Sequence, residues 1–166
     1  MDGEDGTQPQ RIIDSRSGFI AAVHEALDHA MAQRARRMLW ADTDFADWPL
    51  DDARLLQRLT DWLRLPQRQL ILLASDYRHL GASARFVACR RLWSHAIAAY
   101  APAEEDLAQL PCLLLADGHV LVRLLDKTRW RGGISSDPSV LRRAAEQTDA
   151  LLQRSLPAFA VTTLGL

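Results

Sequence analysis

Leu110-Pro-Cys-Leu-Leu-Leu-Ala-Asp-Gly-His-Val-Leu-Val-Arg-Leu-Leu125 reads as two apolar strands joined at Asp117-Gly118, a dipeptide suited to the tight turn that reverses a strand. The first strand is apolar at nearly every position, the pattern of a strand covered on both faces in the middle of a sheet. The rest of the chain is expected to wrap this hairpin.

Upstream, Gln69-Leu-Ile-Leu-Leu-Ala-Ser75 and Met38-Leu-Trp-Ala41 read as buried strands, and Arg11-Ile-Ile13 adds a short one. Helices fall between them. Ser17 caps a helix running to about Arg37, with Phe19, Val23, Ala26, Leu27, Ala30 and Met31 as its apolar stripe. Asp51 or Asp52 opens a second through Leu63, which Pro66 prevents from continuing. A third, Ala82 to Tyr100, faces Phe86, Cys89, Leu92, Trp93, Ala96 and Ile97 inward and Arg85, Arg90 and Arg91 outward. Downstream of the hairpin, Asp126 to Asp137 reads as a Gly- and Arg-containing loop. Asp137-Pro138 then starts a last helix to about Arg154, a cap followed by proline at the first helical position.

The order helix, strand, helix, strand, helix, hairpin, helix predicts an α/β domain, with a mainly parallel sheet, one antiparallel hairpin and helices on both faces. Residues 1–12 read as a flexible N-terminal tail and 13–166 as one domain. Its C-terminal tail, from about residue 156, is expected to pack on the body or on a second subunit.

Composition narrows the function. A chain of 166 residues with 48% apolar and 25% charged content is an ordinary globular domain that needs no metal or disulfide staple. A net charge of −1 supplies no global field for nucleic acid or anionic membrane. No apolar run approaches the roughly 20 residues of a membrane-spanning helix. Cys89 and Cys112 sit in apolar segments and read as free buried thiols. The acidic, polar Met1–Gln10 is the reverse of a secretory signal. A cytoplasmic protein follows, with neither membrane nor nucleic acid as partner.

Several chemistries lack their motifs. There is neither a phosphate-cradling glycine loop nor a cysteine and histidine spacing that would hold zinc. Asp42-x-Asp44 opens like a calcium loop, but the required Gly and distal Glu do not follow. No metal or cofactor is expected. What remains is a set of polar residues that an α/β sheet would gather at one edge. Asp42, Asp44 and Trp48 follow the first buried strand, Asp76, Arg78 and His79 the second, and Arg131, Ser135, Ser136 and Asp137 come after the hairpin. Arg91 and His95, four apart on the third helix, share a face that can point to the same edge.

Carboxylates beside arginines, with the amides at Ser135-Ser136-Asp137 as a helix N-terminus, can grip a small anionic ligand. Alternatively, His95 or His79 acts with Asp42, Asp44 or Asp76 as acid and base in a hydrolase or transferase for phosphodiesters. The simplest alternative is that these charges pair with one another and close the sheet end.

The element order, with the Leu113–Asp117–Gly118–Val122 hairpin near its end, resembles one half of the phospholipase D superfamily. There a His-x-Lys on a strand is followed by an Asp at the strand's end and a reverse turn. With Asp117 on that Asp, Leu110 and Cys112 stand at the His and Lys positions, which implies a degenerate, non-catalytic relative. The superfamily's paired halves imply a homodimer. The segments Asp44-Phe-Ala-Asp-Trp-Pro-Leu50, Asp76-Tyr-Arg78, Arg85-Phe-Val87 and Ser155-Leu-Pro-Ala-Phe159 with its Thr-Thr-Leu-Gly tail also look like a small family of uncharacterised bacterial proteins. That family's members are similar to domains sometimes joined to acetyltransferase modules.

Overall fold

The computed structural model describes residues 11–161; Met1–Gln10 and residues 162–166 lie outside the described residues, and so do the tail expectations that fall on them. In chain order the strands are β1 (Arg11–Ile13), β2 (Arg37–Ala41), β3 (Gln69–Leu73), β4 (Ile97–Ala101), β5 (Cys112–Ala116), β6 (Val120–Asp126), β7 (Arg131–Ser135) and β8 (Leu156–Pro157). The helices are α1 (Arg16–Ala32), α2 (Ala53–Leu63), α3 (Arg78–Gly81), α4 (Ala84–Leu92) and α5 (Pro138–Gln153).

The hairpin forms as read. Cys112 pairs with Leu124 and Ala116 with Val120, and Gly118 supplies the turn's positive φ of 76°. Every residue of β5 is buried, because β5 lies between β6 and β2 in the single sheet of order β1-β7-β6-β5-β2-β3-β4-β8.

The strand directions correct the expectation of a mainly parallel sheet. Only β2–β3 and β3–β4 run parallel; the five other pairings are antiparallel. The sheet is mixed and mostly antiparallel because β5 runs against β2, and β7 and β8 pair antiparallel with their neighbours; two strands, β7 and β4, lie in segments without strand signals. β7 lies inside the expected 126–137 loop. Its Gly-Gly composition is atypical of a strand, yet a Cβ at Gly132 would run into the carbonyl oxygen of Arg123. Only glycine lets β7 approach β6 beside the register shift between Leu124 and Asp126. β4 lies inside the expected third helix, whose alanines are good helix formers. That helix stops at Leu92, and Ile97-Ala-Ala-Tyr100 pairs with β3 instead.

Local capping sets the other limits. Ser15, not Ser17, caps α1 by accepting the Gly18 amide at 3.0 Å. The helix ends at Ala32, ahead of a left-handed Arg34 with φ 54°, because Arg37 already belongs to β2. Asp52 caps α2 through the Arg54 amide at 2.8 Å.

Helices cover both faces, as expected. On one, α1, α2 and α4 bury Phe19, Leu59, Trp62 and Phe86 against Met38, Trp40, Leu70, Leu72, Leu114 and Val122. On the other, α5 packs Leu141, Ala144 and Leu151 on Leu39, Ile71, Leu113, Leu115 and Leu121. The alternation of Met38 and Trp40 with Leu39 and Ala41 is the period of 2 that sends successive side chains to opposite faces. The described part of the C-terminal tail packs on the body: β8 pairs with β4, and the Phe159 ring stacks on Tyr77 at 5.1 Å.

Candidate functional site

The residues expected at one sheet edge fall at two opposite ends. Asp42, Asp44 and Trp48 follow β2, Asp76 and Arg78 follow β3, and Arg131 opens β7 opposite Asp126. Ser135 and Ser136 stand at the far end of β7, where Ser135 pairs with Leu121.

At the first end the charges pair off. Asp42, 1% exposed, accepts a 2.5 Å hydrogen bond from the Lys127 ammonium. Burial pulls Lys127 toward neutrality, but hydrogen bonding and charge from Asp42, helped by Cys112 and Asp44, prevail and raise its pKa. Burial, then Asp42, pushes the Cys112 thiol far above its ordinary range. Trp48 is enclosed by aromatic rings, edge-on to Phe45 at 5.0 Å and to Phe19 at 5.6 Å. Asp44 accepts the Ala46 amide at 3.0 Å. Asp76 accepts both Nε and Nη2 of Arg78, and those hydrogen bonds lower its carboxyl to about 2. Local partners thus engage an oxygen of each carboxylate proposed to grip a ligand, while Asp42 Oδ2 is buried without a partner among the described residues. Lys127, the only lysine of the chain, is the residue that locks this end, and its singularity among arginines is its one signal in the sequence.

At the second end the helix N-terminus is already filled. The Asp137 carboxylate accepts both the amide and the hydroxyl of Ser139, at 2.9 and 2.8 Å. Ser135 Oγ accepts the Asp137 amide. A resident carboxylate at the amides repels an incoming anion.

The histidines also separate. His79 is exposed on the single turn of α3, and His95 lies beyond α4 beside Trp93, ring centroids 5.7 Å apart. Since α4 ends at Leu92, Arg91 and His95 do not share a helix face. Among the described residues, the one histidine within 4.0 Å of a carboxylate is His24, 3.6 Å from Asp52.

Arg90, read from the sequence as outward-facing, turns inward. It is 9% exposed, and its Nε and Nη1 are buried with no hydrogen-bond partner among the described residues. Its position four after Phe86 on α4 places it on the buried face, which is the signal in the sequence that points to it. The same side chain borders two concavities of about 370 Å³ each. Gly81, Val87, Arg91, Phe159, Ala160 and Val161 line one; Ser94, residues 97–100 and the Pro157–Ala158 segment line the other. Burial lowers the Arg90 pKa, with Tyr77 partly opposing it. A second group of cations, Arg34, Arg36 and Arg68, rims an open hollow at the start of β2 and β3. There Arg68 already donates to the carbonyls of Pro66 and Arg34.

No group of three or more His, Cys, Asp or Glu among the described residues is arranged to hold a metal ion, and no described helix is long and apolar enough to cross a membrane. A scan of protein-family models finds no match to the chain, and a search of curated proteins finds none either.

Proposed function

We propose that the chain is a non-catalytic, phospholipase D-like domain that binds a small anionic ligand, with Arg90 as its anchor. The observation that carries this reading is an arginine nine-tenths buried, with no carboxylate or carbonyl on two of its nitrogens among the described residues, bordering two cavities. A buried charge costs several kcal/mol unless compensated, and a planar fork of donors matches a carboxylate or phosphate. Arg91 on the rim adds a second cation.

The spacing of the superfamily signature, moved to the strand that ends in an Asp before the β6–β7 turn, sets His119 in first place, Leu121 at the lysine and Asp126 at the strand end. A histidine therefore occupies the nucleophile position in this register. The lysine position does not follow, since Leu121 is 2% exposed beneath α5. The loss of that lysine supports a degenerate site over the phosphodiesterase alternative, as does the lack of carboxylate partners at His79 and His95 among the described residues.

The reading also takes the domain as a cytoplasmic homodimer. Two buried free thiols suit a reducing compartment, and isologous pairing is the commonest oligomer.

Calorimetric titration of the wild type and of Arg90→Gln with sodium acetate and with inorganic phosphate tests the reading. Saturable binding of either anion by the wild type, lost in the variant, is expected; absence of binding, or equal binding by both proteins, overturns it. Turnover of bis(4-nitrophenyl) phosphate that disappears in His119→Ala would overturn the non-catalytic assignment. Light scattering on the eluting protein reads the dimer directly.

A further inference from the structure

Resting on the Arg90 reading, we infer that the ligand is an amphiphilic monoanion: one carboxylate on the Arg90 guanidinium and an apolar body lying in the adjoining cavity. The chemistry of the walls carries this. Beyond the cations, the described residues that bound the first cavity are Gly81, Val87, Phe159, Ala160 and Val161, and among them is no hydroxyl, amide side chain or carboxylate. In the second cavity that Arg90 borders, Ile97, Ala98, Ala99, Pro157 and Ala158 dominate, and among the described lining residues only Ser94 and Tyr100 bring side-chain hydroxyls.

A sugar phosphate or a nucleotide would bury several hydroxyls or ring nitrogens against these walls without partners, a loss for each group. A dicarboxylate could set its second charge only on Arg91 at the rim, and would leave the apolar wall of Val87 and Phe159 without an apolar partner. A single carboxylate with a hydrocarbon or aryl body satisfies both features: it sets an opposite charge beside the buried Arg90 that borders the cavity, and it covers the apolar walls. A volume of about 370 Å³ on each side lies within the range of small-ligand sites.

The C-terminal segment shapes the cavity. Phe159 stacks on Tyr77 and lies 6.4 Å from Phe86, so its ring is held from both sides while the backbone after it forms one wall. Tyr77 is itself fixed by donating its hydroxyl to the Tyr100 carbonyl at 2.6 Å. The wall is therefore preformed, and a ligand does not bear the cost of ordering it.

The experiment is a chain-length series, with acetate, butanoate, hexanoate, octanoate and 3-phenylpropanoate titrated into the wild type, Arg90→Gln and Val87→Trp. Inorganic phosphate serves as the head-group control. A fully buried methylene strengthens binding about fourfold, so the half-open cavity sets the expectation at a tenfold or greater gain from butanoate to octanoate. Val87→Trp, which fills the apolar wall and leaves the guanidinium in place, is expected to abolish that gain while acetate still binds. Arg90→Gln is expected to abolish binding of the whole series. Flat affinity from acetate to octanoate, or phosphate binding more tightly than octanoate, overturns the amphiphile and leaves the Arg90 anion site standing. Octanoate binding equally to wild type and Arg90→Gln overturns both.

Discussion

Two charged side chains are buried on opposite flanks of the same domain, and their surroundings differ in kind. Asp42, 1% exposed at the end of β2, meets the ammonium of Lys127 at 2.5 Å. Arg90, 9% exposed on α4, meets nothing at Nε and Nη1 among the described residues. The first has an opposite charge on Oδ1, while its Oδ2 is buried without a hydrogen-bond partner among the described residues. That pair fastens the turn after β6 to the end of the central strands, as far apart in sequence as residues 42 and 127. The second is a desolvated charge beside empty volume. Burying either ion costs several kcal/mol, and only a partner recovers it. The charge that meets an opposite charge therefore speaks for stability, and the charge that meets none among the described residues speaks for binding. Charge alone does not distinguish the two; what each charge touches does.

Breaking the Asp42–Lys127 pair should produce the largest effect. Lys127→Met leaves Asp42 buried and uncompensated. A loss of about 3 kcal/mol in urea unfolding is expected, the low end for such a pair because the ammonium reaches solvent. The double variant Asp42→Leu/Lys127→Met should recover most of it. Unchanged stability in the single variant would show that the pair contributes nothing. In the wild type the raised Lys127 pKa fixes the sign. The contribution is whole below the ordinary lysine value and is lost as pH rises through the raised one.

Next in size is Phe159→Ala, which removes the ring between Tyr77 and Phe86. A loss of about 2 kcal/mol in the same unfolding experiment is expected, with weaker octanoate binding. Loss of stability without loss of binding would separate the C-terminal segment from the ligand.

Arg90→Met should move stability in the opposite direction from Lys127→Met. Removing a charge whose Nε and Nη1 have no partner among the described residues relieves desolvation, and a gain of about 1 kcal/mol is expected without ligand. A destabilised variant would reveal a partner and end the contrast between the two flanks.

The smallest effect belongs to the exposed pair Asp76–Arg78. Arg78 depresses the Asp76 carboxyl to about 2 from an ordinary 3.8, so the pair's contribution is whole above 3.8 and is lost as pH falls toward 2. Carboxyl chemical shifts of wild type and Arg78→Ala should show the midpoint returning toward 3.8 in the variant. An unmoved midpoint would deny the pair. Cys112 and Cys89, both raised by burial, should stay inert to Ellman's reagent at pH 8 until the protein unfolds.

The central hairpin, β2, β3, α2 and α5 were legible because their signals are local. They are continuous apolar runs, an Asp-Gly turn, an Asp52 cap and the Asp137-Pro138 start. β4 and β7 were not legible. Alanines in one and glycines in the other contradict strand propensity, and both strands exist because a neighbour offers an unpaired edge. Missing β7 left out two antiparallel pairings, with β1 and with β6, whereas β4 runs parallel to β3. The same omission placed Ser135 and Ser136 at the wrong end, since a strand between Arg131 and Ser135 carries its two ends apart. At the candidate site, Arg91 was read as a ligand residue and stands on the rim of the cavity, whereas Arg90 was assigned to solvent.

By itself, then, the sequence determined where the chain turns, which runs are buried and which familiar chemistries lack their residues, because each of these depends on neighbours within a few positions. Only the tertiary structure decided strand direction, the pairing of Asp42 with Lys127 and the isolation of Arg90. These rest on contacts between residues distant in the chain, and the energy of a buried charge is set by what lies within a few ångströms of it in space.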